Sequence, residues 1–311
     1  MHAHTHDHHG QGHDHHHGHN HDTSRAFAIG IALNVIFVVT EWIFGVMANS
    51  LALIADATHN FSDVLGLLLA WGALALARRP PSTRFTYGLR GSTVLAALAN
   101  AMLLLVATGG IAWEAILRFR SVGAVNETIM IWVAVLGVLI NGGTALLFMG
   151  GRKTDLNVRG AYLHMAADAG VSLGVVAAGV GIMFLGWTWL DPVVSLLIVT
   201  VIVVGTWGLL RDSVKLALHA APESIDPVVV RQYLAGLPGV TEVHDLHIWA
   251  MSTTETALTA HLVMPAGHPG DEFFADVVRQ IENKYHIGHT TIQIETGTSD
   301  HPCVLAPDHV V

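Results

Sequence analysis

Apolar residues along this chain gather into six long stretches separated by short polar breaks. They run roughly Phe27–Met47, Leu51–Ala77, Val94–Leu117, Ile129–Met149, Ala161–Leu185 and Val193–Leu210. Each is close to the ~20 residues a helix needs to cross the hydrocarbon core of a bilayer. Gly and Ala recur in all six, and small side chains let helices approach closely in lipid. Pro80-Pro81 breaks the chain between the second and third spans. The turn Gly186–Pro192 separates the fifth from the sixth; its Trp187 and Trp189 suit a membrane interface and Pro192 suits a helix start. Asp191, just before that proline, reads as the N-cap of the sixth span.

From about Pro222 the apolar runs shorten and the period changes. Val228, Val229, Tyr233 and Leu237 suggest a short helix after Asp226-Pro227. Val240–Ala250 and Thr256–Met264 read as strands. The second alternates Leu258, Ala260, Leu262 and Met264 inward with Thr259 and His261 outward. Phe274, Val277, Val278, Ile281 and Tyr285 recur at helical spacing, and Thr290–Glu295 alternates again through Ile292 and Ile294. The predicted order is α-β-β-α-β, a small two-layer α+β domain with helices on one face of a sheet. At under ~80 residues its core is thin, and self-association would add stability. The predicted fold class is therefore a membrane all-α six-helix transmembrane bundle followed by this α+β domain. The boundaries are a His-rich tail over 1–24, the transmembrane part over 25–212, the α+β domain over 213–298 and a C-terminal tail over 299–311.

Composition agrees. Of 311 residues, 52% are hydrophobic and 13% charged, about half the charged share of a soluble protein. The net charge of −9 argues against nucleic acid as a partner. The distribution of Lys and Arg orients the spans. Arg25, Arg78, Arg79, Arg84, Arg90, Arg152, Lys153, Arg159, Arg211 and Lys215 fall on one side, and only Arg118 and Arg120 on the other. The positive-inside rule then puts both termini in the cytoplasm. One cysteine, Cys303, cannot build a disulfide framework. The first 22 residues lack the apolar core of a secretory signal but hold eleven of the chain's 22 His. That is the composition of a disordered metal-collecting tail rather than an expression tag, since the longest His run is His15–His17.

Ionisable groups inside a bilayer cost about 2.5–3.5 kcal/mol each on insertion scales, so each needs a reason to be there. In the second span His59 and Asp63 are four apart and share a helix face, with Asp56 extending the stripe. The fifth span repeats the His-x-x-x-Asp spacing as His164 and Asp168. At ~1.5 Å per residue His59 and Asp63 fall about 12–18 Å from the start of their span, near midmembrane, and Asp168 about 10 Å from the start of its own. One such pair alone reads as a buried hydrogen bond pinning a helix; two identical pairs, with a His-rich tail, read as a metal site. Two imidazoles and two carboxylates suit tetrahedral Zn²⁺. No Cys or Met is among the four, which argues against Cu(I), and Mg²⁺ and Mn²⁺ prefer more oxygen ligands. Binding requires neutral imidazole and ionised carboxylate, so it expels protons. The expected activity is metal/proton antiport by alternating access. Glu41 and Asn34 in the first span and Asn141 in the fourth are expected to make interhelical hydrogen bonds.

These residues resemble the cation diffusion facilitator family, in particular its bacterial zinc/cobalt/cadmium resistance members. The likeness lies in Ser50–His59 with Asp63, Phe85-Thr86-Tyr87-Gly88, Gly160–His164 with Asp168, Val243–Trp249 and His289–Glu295. It implies a ferredoxin-like cytoplasmic domain, a homodimer, a multi-pass protein of the bacterial inner membrane, and proton-coupled efflux of Zn²⁺, with Cd²⁺ and Co²⁺ as further cargo. The family's transport ligands carry over to His59, Asp63, His164 and Asp168. Its cytoplasmic zinc ligands carry over to His244, His261, His289 and Glu295; read from the residues alone, His244 and His261 could converge, but ordinary exposed strand histidines are the better reading. His247, two residues before Trp249, reads as readily as structural as a ligand. Cys303 and His301 in the C-terminal tail are candidate accessory ligands. No His or acid lies between the second and third spans, so the interfacial metal site of some members is not expected, and the N-terminal tail stands in for a His-rich loop between spans four and five.

Two other classes compete. An intramembrane zinc hydrolase would keep a ligand position open for water and would show an HExxH signature or a nucleophile pair; neither is present, so no enzyme is expected. A membrane-anchored metal sensor or storage protein would fit the tail and the α+β domain but would not need a midmembrane site.

Overall fold

A computed structural model describes residues 35–120, 123–150, 156–298 and 303–307 of the chain. Six helices come first: α1 (Val35–Ala48), α2 (Leu51–Ala77), α3 (Ser92–Arg118), α4 (Glu127–Phe148), α5 (Leu156–Leu185) and α6 (Leu190–Ala217). All but α1 are long and apolar enough over their described residues to cross a membrane. Bulky apolar side chains such as Trp71, Val106, Trp132, Phe184 and Val204 point outward and are more than two thirds exposed. A surface of that kind is stable only against lipid. The expected tail over 1–24 and Asn34 lie outside the described residues.

Contacts divide the chain into two units, Met1–Ala57 with Val122–Val194, and Thr58–Ser121 with Ser195–Val311. In the first, α4 packs along α5 through small residues. A Cβ on Gly137 would stand 2.8 Å from both the Phe37 ring and Ser172 Oγ, and one on Gly179 would stand 2.6 Å from Ile131. Only glycine permits backbones that close. Asn126 caps α4, its side chain accepting the Ile129 N–H at 3.1 Å.

Asp191 corrects the expectation made for it. It lies within the first turn of α6, fully buried, and caps a different helix. Its carboxylate accepts the Ser50 hydroxyl at 2.6 Å and the Leu51 and Ala52 N–H groups at 2.9 and 3.2 Å. Ser50 Oγ in turn accepts the Leu53 N–H at 3.3 Å. The first amide donors of α2, which have no partner inside their own helix, are thus satisfied. Glu41 and Asn141 are buried, but neither amide atom of Asn141 makes the expected interhelical hydrogen bond among the described residues.

In the second unit α3 approaches the later half of α2: Ser92 Oγ donates to the Ala73 carbonyl at 2.8 Å, and a Cβ on Gly66 would meet Asn100 at 2.9 Å. The α+β part follows as α7 (Pro227–Ala235), β1 (Glu242–Ala250), β2 (Thr256–Val263), α8 (Asp271–Tyr285) and β3 (His289–Glu295). The sheet order is β1-β2-β3, with β1 antiparallel and β3 parallel to β2. A parallel partner requires a crossover, and α8 supplies it. Val230 and Leu234 of α7, Val277 and Ile281 of α8, and Leu258, Ala260 and Leu262 of β2 form the core. The inward face of α7 is therefore Val230 and Leu234; Val228 and Val229, expected there, are exposed. Pro227 at the first helical position sets where α7 begins, and Leu234 four residues after Val230 sets its buried face.

Asp226 caps α7 by accepting the Val228 N–H at 2.9 Å. Asp226→Ala is expected to cost about 1 kcal/mol. Hydrogen exchange on the full chain should show faster exchange confined to the first turn of α7; an unchanged rate there would show that the cap contributes nothing.

Candidate metal centres

The two membrane His-Asp pairs are each held by helix periodicity. On α2, His59 Nε2 lies 3.8 Å from Asp63 Oδ2; on α5, His164 Nε2 lies 3.6 Å from Asp168 Oδ2. Four residues make slightly more than one helical turn, which stacks each imidazole over its carboxylate. Asp168 is buried. Asp56, one turn before His59 in sequence, is also buried and accepts the Ser172 hydroxyl at 3.1 Å.

A second cluster forms on the sheet face opposite α7 and α8. β1 and β2 pair in register through Glu242↔Val263, Val243↔Leu262 and His244↔His261, and resume at His247↔Thr259. Asp245 and Leu246 therefore oppose the single residue Ala260. This is a β-bulge, and it reverses which residues of β1 face the core. Val243 faces inward before it and Ile248 and Ala250 after it, so His244 and His247 both face outward. Asp245 takes the strain at φ 49°, a left-handed conformation that Asp tolerates better than most residues.

His244 and His261 thus sit side by side, ring centroids 5.3 Å apart. Glu295 at the end of β3 reaches both, with Oε1 3.4 Å from His244 Nε2 and 2.9 Å from His261 Nδ1. Cys303 Sγ lies 3.6 Å from the same His261 Nδ1. One ligand atom from each of His244, His261, Glu295 and Cys303 falls within 4.8 Å of the others. The opposite ring nitrogens face carboxylates outside this set: Glu242 Oε1 is 3.4 Å from His244 Nδ1, and Asp245 Oδ2 is 3.3 Å from His261 Nε2. Asp245 also meets His247 at 2.8 Å. Carboxylates that hold the far nitrogen of an imidazole fix its tautomer and aim its near nitrogen.

Burial pushes the Glu295 carboxyl up, but a hydrogen bond with Cys303 and the nearby imidazoles of His244 and His261 outweigh it and hold the group below its ordinary value. A backbone hydrogen bond at Leu305 lowers the Cys303 thiol; burial and the carboxylates of Glu295 and Asp245 outweigh it and leave the thiol above its ordinary value.

Of the residues expected in this cluster, the structure brings together His244, His261, Glu295 and Cys303. His289 stands at the other end of β3, edge-on to Tyr87 at 5.4 Å. His301 lies outside the described residues. The orienting roles of Glu242 and Asp245 were not foreseen; an acid between two histidines in His244-Asp245-Leu246-His247 was the available signal, but only the bulge makes it meaningful.

Comparisons with known proteins agree with this layout. Residues 27–216 match the family described as cation efflux transmembrane domain, and residues 222–297 the one described as cation efflux protein, cytoplasmic domain. The chain is 38% identical over 284 residues to the cation efflux system protein CzcD of Alcaligenes sp., covering 91% of this chain and 89% of that protein. It is 38% identical over 261 residues to the zinc transporter ZitB of Escherichia coli, covering 83% of each. It is 33% identical over 270 residues to the cadmium, cobalt and zinc/H(+)-K(+) antiporter of Bacillus subtilis, covering 85% of this chain and 86% of that protein. The chain belongs to the cation efflux, or cation diffusion facilitator, family: it is a multi-pass membrane transporter of metal cations rather than an enzyme, with six apolar helices and a ferredoxin-like α-β-β-α-β cytoplasmic domain.

Proposed function

We propose that this chain exports Zn²⁺ from the cytoplasm in exchange for H⁺, by alternating access, through one intramembrane site made of His59, Asp63, His164 and Asp168. The observation that carries this reading is the repetition, on two helices of membrane length, of an imidazole facing a carboxylate at 3.8 and 3.6 Å. Two carboxylates neutralise a divalent charge, and two imidazoles complete the four ligands that Zn²⁺ favours. The same groups couple transport to protons. Histidine is the side chain whose change of charge ordinarily falls in the physiological pH range, which suits it to exchange a cation for protons. On the cytoplasmic side the ligands release protons as the cation loads; on the far side protons compete for them and the cation leaves.

The relatives support the cargo, since ZitB is named a zinc transporter and the Bacillus protein an antiporter of cadmium, cobalt and zinc. Cd²⁺ and Co²⁺ belong to the same ligand class and are secondary cargo in this reading. The excess of Lys and Arg on one side supports a cytoplasmic location for both termini, and the bacterial origin of the relatives supports the inner membrane. The protein works as a homodimer joined through the cytoplasmic domain, whose small core gains from self-association. In this layout the tail over 1–24 collects metal for the transmembrane part. His244, His261 and Glu295 hold a resident Zn²⁺; their fit rests on the two carboxylates that fix the far nitrogens of the imidazoles.

The test is Zn²⁺ uptake by proteoliposomes under an imposed pH gradient. Uptake should follow the gradient and vanish when an ionophore collapses it. Uptake indifferent to the gradient would overturn the antiport reading. For the cytoplasmic cluster, Asp245→Ala is expected to weaken Zn²⁺ binding about 10–100-fold, the usual effect of losing a group that orients a ligand. Competition with a chromophoric chelator reads this; unchanged affinity would remove Asp245 from the site.

A further inference from the structure

We propose that Cys303 is a metal ligand, completing with His244, His261 and Glu295 a four-coordinate site for a borderline-to-soft divalent cation that fastens residues 303–307 to the sheet. The inference rests on the reading of the other three as ligands and adds the sulfur.

Three observations lead to it. One donor atom from each of the four residues lies within 4.8 Å of the others, where a tetrahedral zinc site needs separations of about 3.3–3.8 Å. A small contraction closes that difference. His244 is 3% exposed, and neither of its ring nitrogens makes a hydrogen bond among the described residues; its contacts to Glu242 and Glu295 are both 3.4 Å. A cation on Nε2 would give that nitrogen a close partner and leave Nδ1 facing Glu242. Third, the thiol's surroundings are polar. A cysteine buried for packing sits among apolar side chains, whereas Cys303 touches an imidazole and interacts with two carboxylates.

The donor set defines the cation. Thiolate and Glu295 carboxylate together balance a divalent charge, so the loaded site is neutral. Two imidazoles with a thiolate favour Zn²⁺, Cd²⁺ and Co²⁺ and disfavour Mg²⁺ and Ca²⁺, which take oxygen ligands. This set is softer than the all-nitrogen-and-oxygen set of the membrane pairs, so Cd²⁺ would compete with Zn²⁺ more effectively here than there.

Because the chain has a single cysteine, sulfur-to-metal charge transfer reports on Cys303 alone. The experiment is a Co²⁺ titration of the purified full-length protein in detergent under reducing conditions, followed in the near ultraviolet. A sulfur-to-cobalt band should rise to saturation, disappear on adding Zn²⁺ or Cd²⁺, be absent from Cys303→Ser, and fall strongly in His261→Ala. Circular dichroism of Cys303→Ser should match that of the unmodified protein. If Co²⁺ binds with no sulfur band, while His261→Ala still loses one bound Co²⁺ per chain, Cys303 is not a ligand and the three-residue reading stands alone. A band that His261→Ala leaves untouched would also overturn the four-residue site. A band that behaves as expected in a protein without proton-driven flux supports this site and overturns only the transport proposal.

Discussion

Replacing Asp63 or Asp168 by alanine is expected to abolish Zn²⁺ transport, lowering flux by about 100-fold or more. Four-ligand zinc sites in peptides bind with an apparent ~10–16 kcal/mol, so one ligand contributes on the order of 3 kcal/mol, or about 100-fold in affinity. The loss should be steeper for transport than for binding, because a carboxylate missing from the site also removes a group through which protons drive release. Asp168 is buried, and its removal leaves His164 without the oxygen now 3.6 Å away. Asp168→Asn keeps the shape and removes the charge; it should fail as well, which separates ligation from packing. His164→Ala provides a second check from the other half of the pair. Well-folded Asp63→Ala and Asp168→Ala proteins that transport normally would show that the pairs only pin their helices.

The second large effect is on stability. Asp191→Ala should destabilise the membrane part by about 3 kcal/mol or more. The substitution strands the Ser50 hydroxyl and the Leu51 and Ala52 N–H groups at the buried start of α2, all of which now donate to one carboxylate. Each unsatisfied buried donor costs about 1–3 kcal/mol, and the helix start also loses a negative charge that favours its dipole. Asp191→Asn retains one acceptor oxygen and should lose roughly half as much. Thermal unfolding in detergent, followed by circular dichroism, measures both. An Asp191→Ala protein as stable as the unmodified one would contradict the view that this residue holds the start of α2.

Much of this architecture is legible in residue pattern because lipid imposes a simple rule. Long apolar runs must be helices, and α2 is bounded in the structure at Leu51 and Ala77, where hydrophobicity alone places it. The strands of the cytoplasmic domain are legible for a similar reason: Leu258, Ala260 and Leu262 alternate with Thr259 and His261, and burial follows that alternation. Short helices and special backbone are not. In α7, four successive apolar residues from Pro227 to Val230 leave the buried face undetermined, and packing against the sheet selects Val230. Asp191 looks like a local cap because Pro192 follows it, and only tertiary structure shows that its partners lie about 140 residues earlier. The bulge at Asp245 has no sequence rule strong enough to predict it, yet it decides that His244 and His247 share a face. Periodicity predicts the His-Asp pairs of α2 and α5 individually, because four-residue spacing fixes them within one helix.

The measurement that tests the central claim most directly is the number of Zn²⁺ ions retained per chain when the pairs are removed singly and together. The variants are His59→Ala with Asp63→Ala, His164→Ala with Asp168→Ala, and all four changes at once, each equilibrated at fixed free Zn²⁺ and counted by elemental analysis against protein. If the two helices build one transport site, either double variant loses one ion per chain and the quadruple variant loses no more. A quadruple variant that loses two ions, one for each pair, would show two independent sites and contradict a single shared transport site.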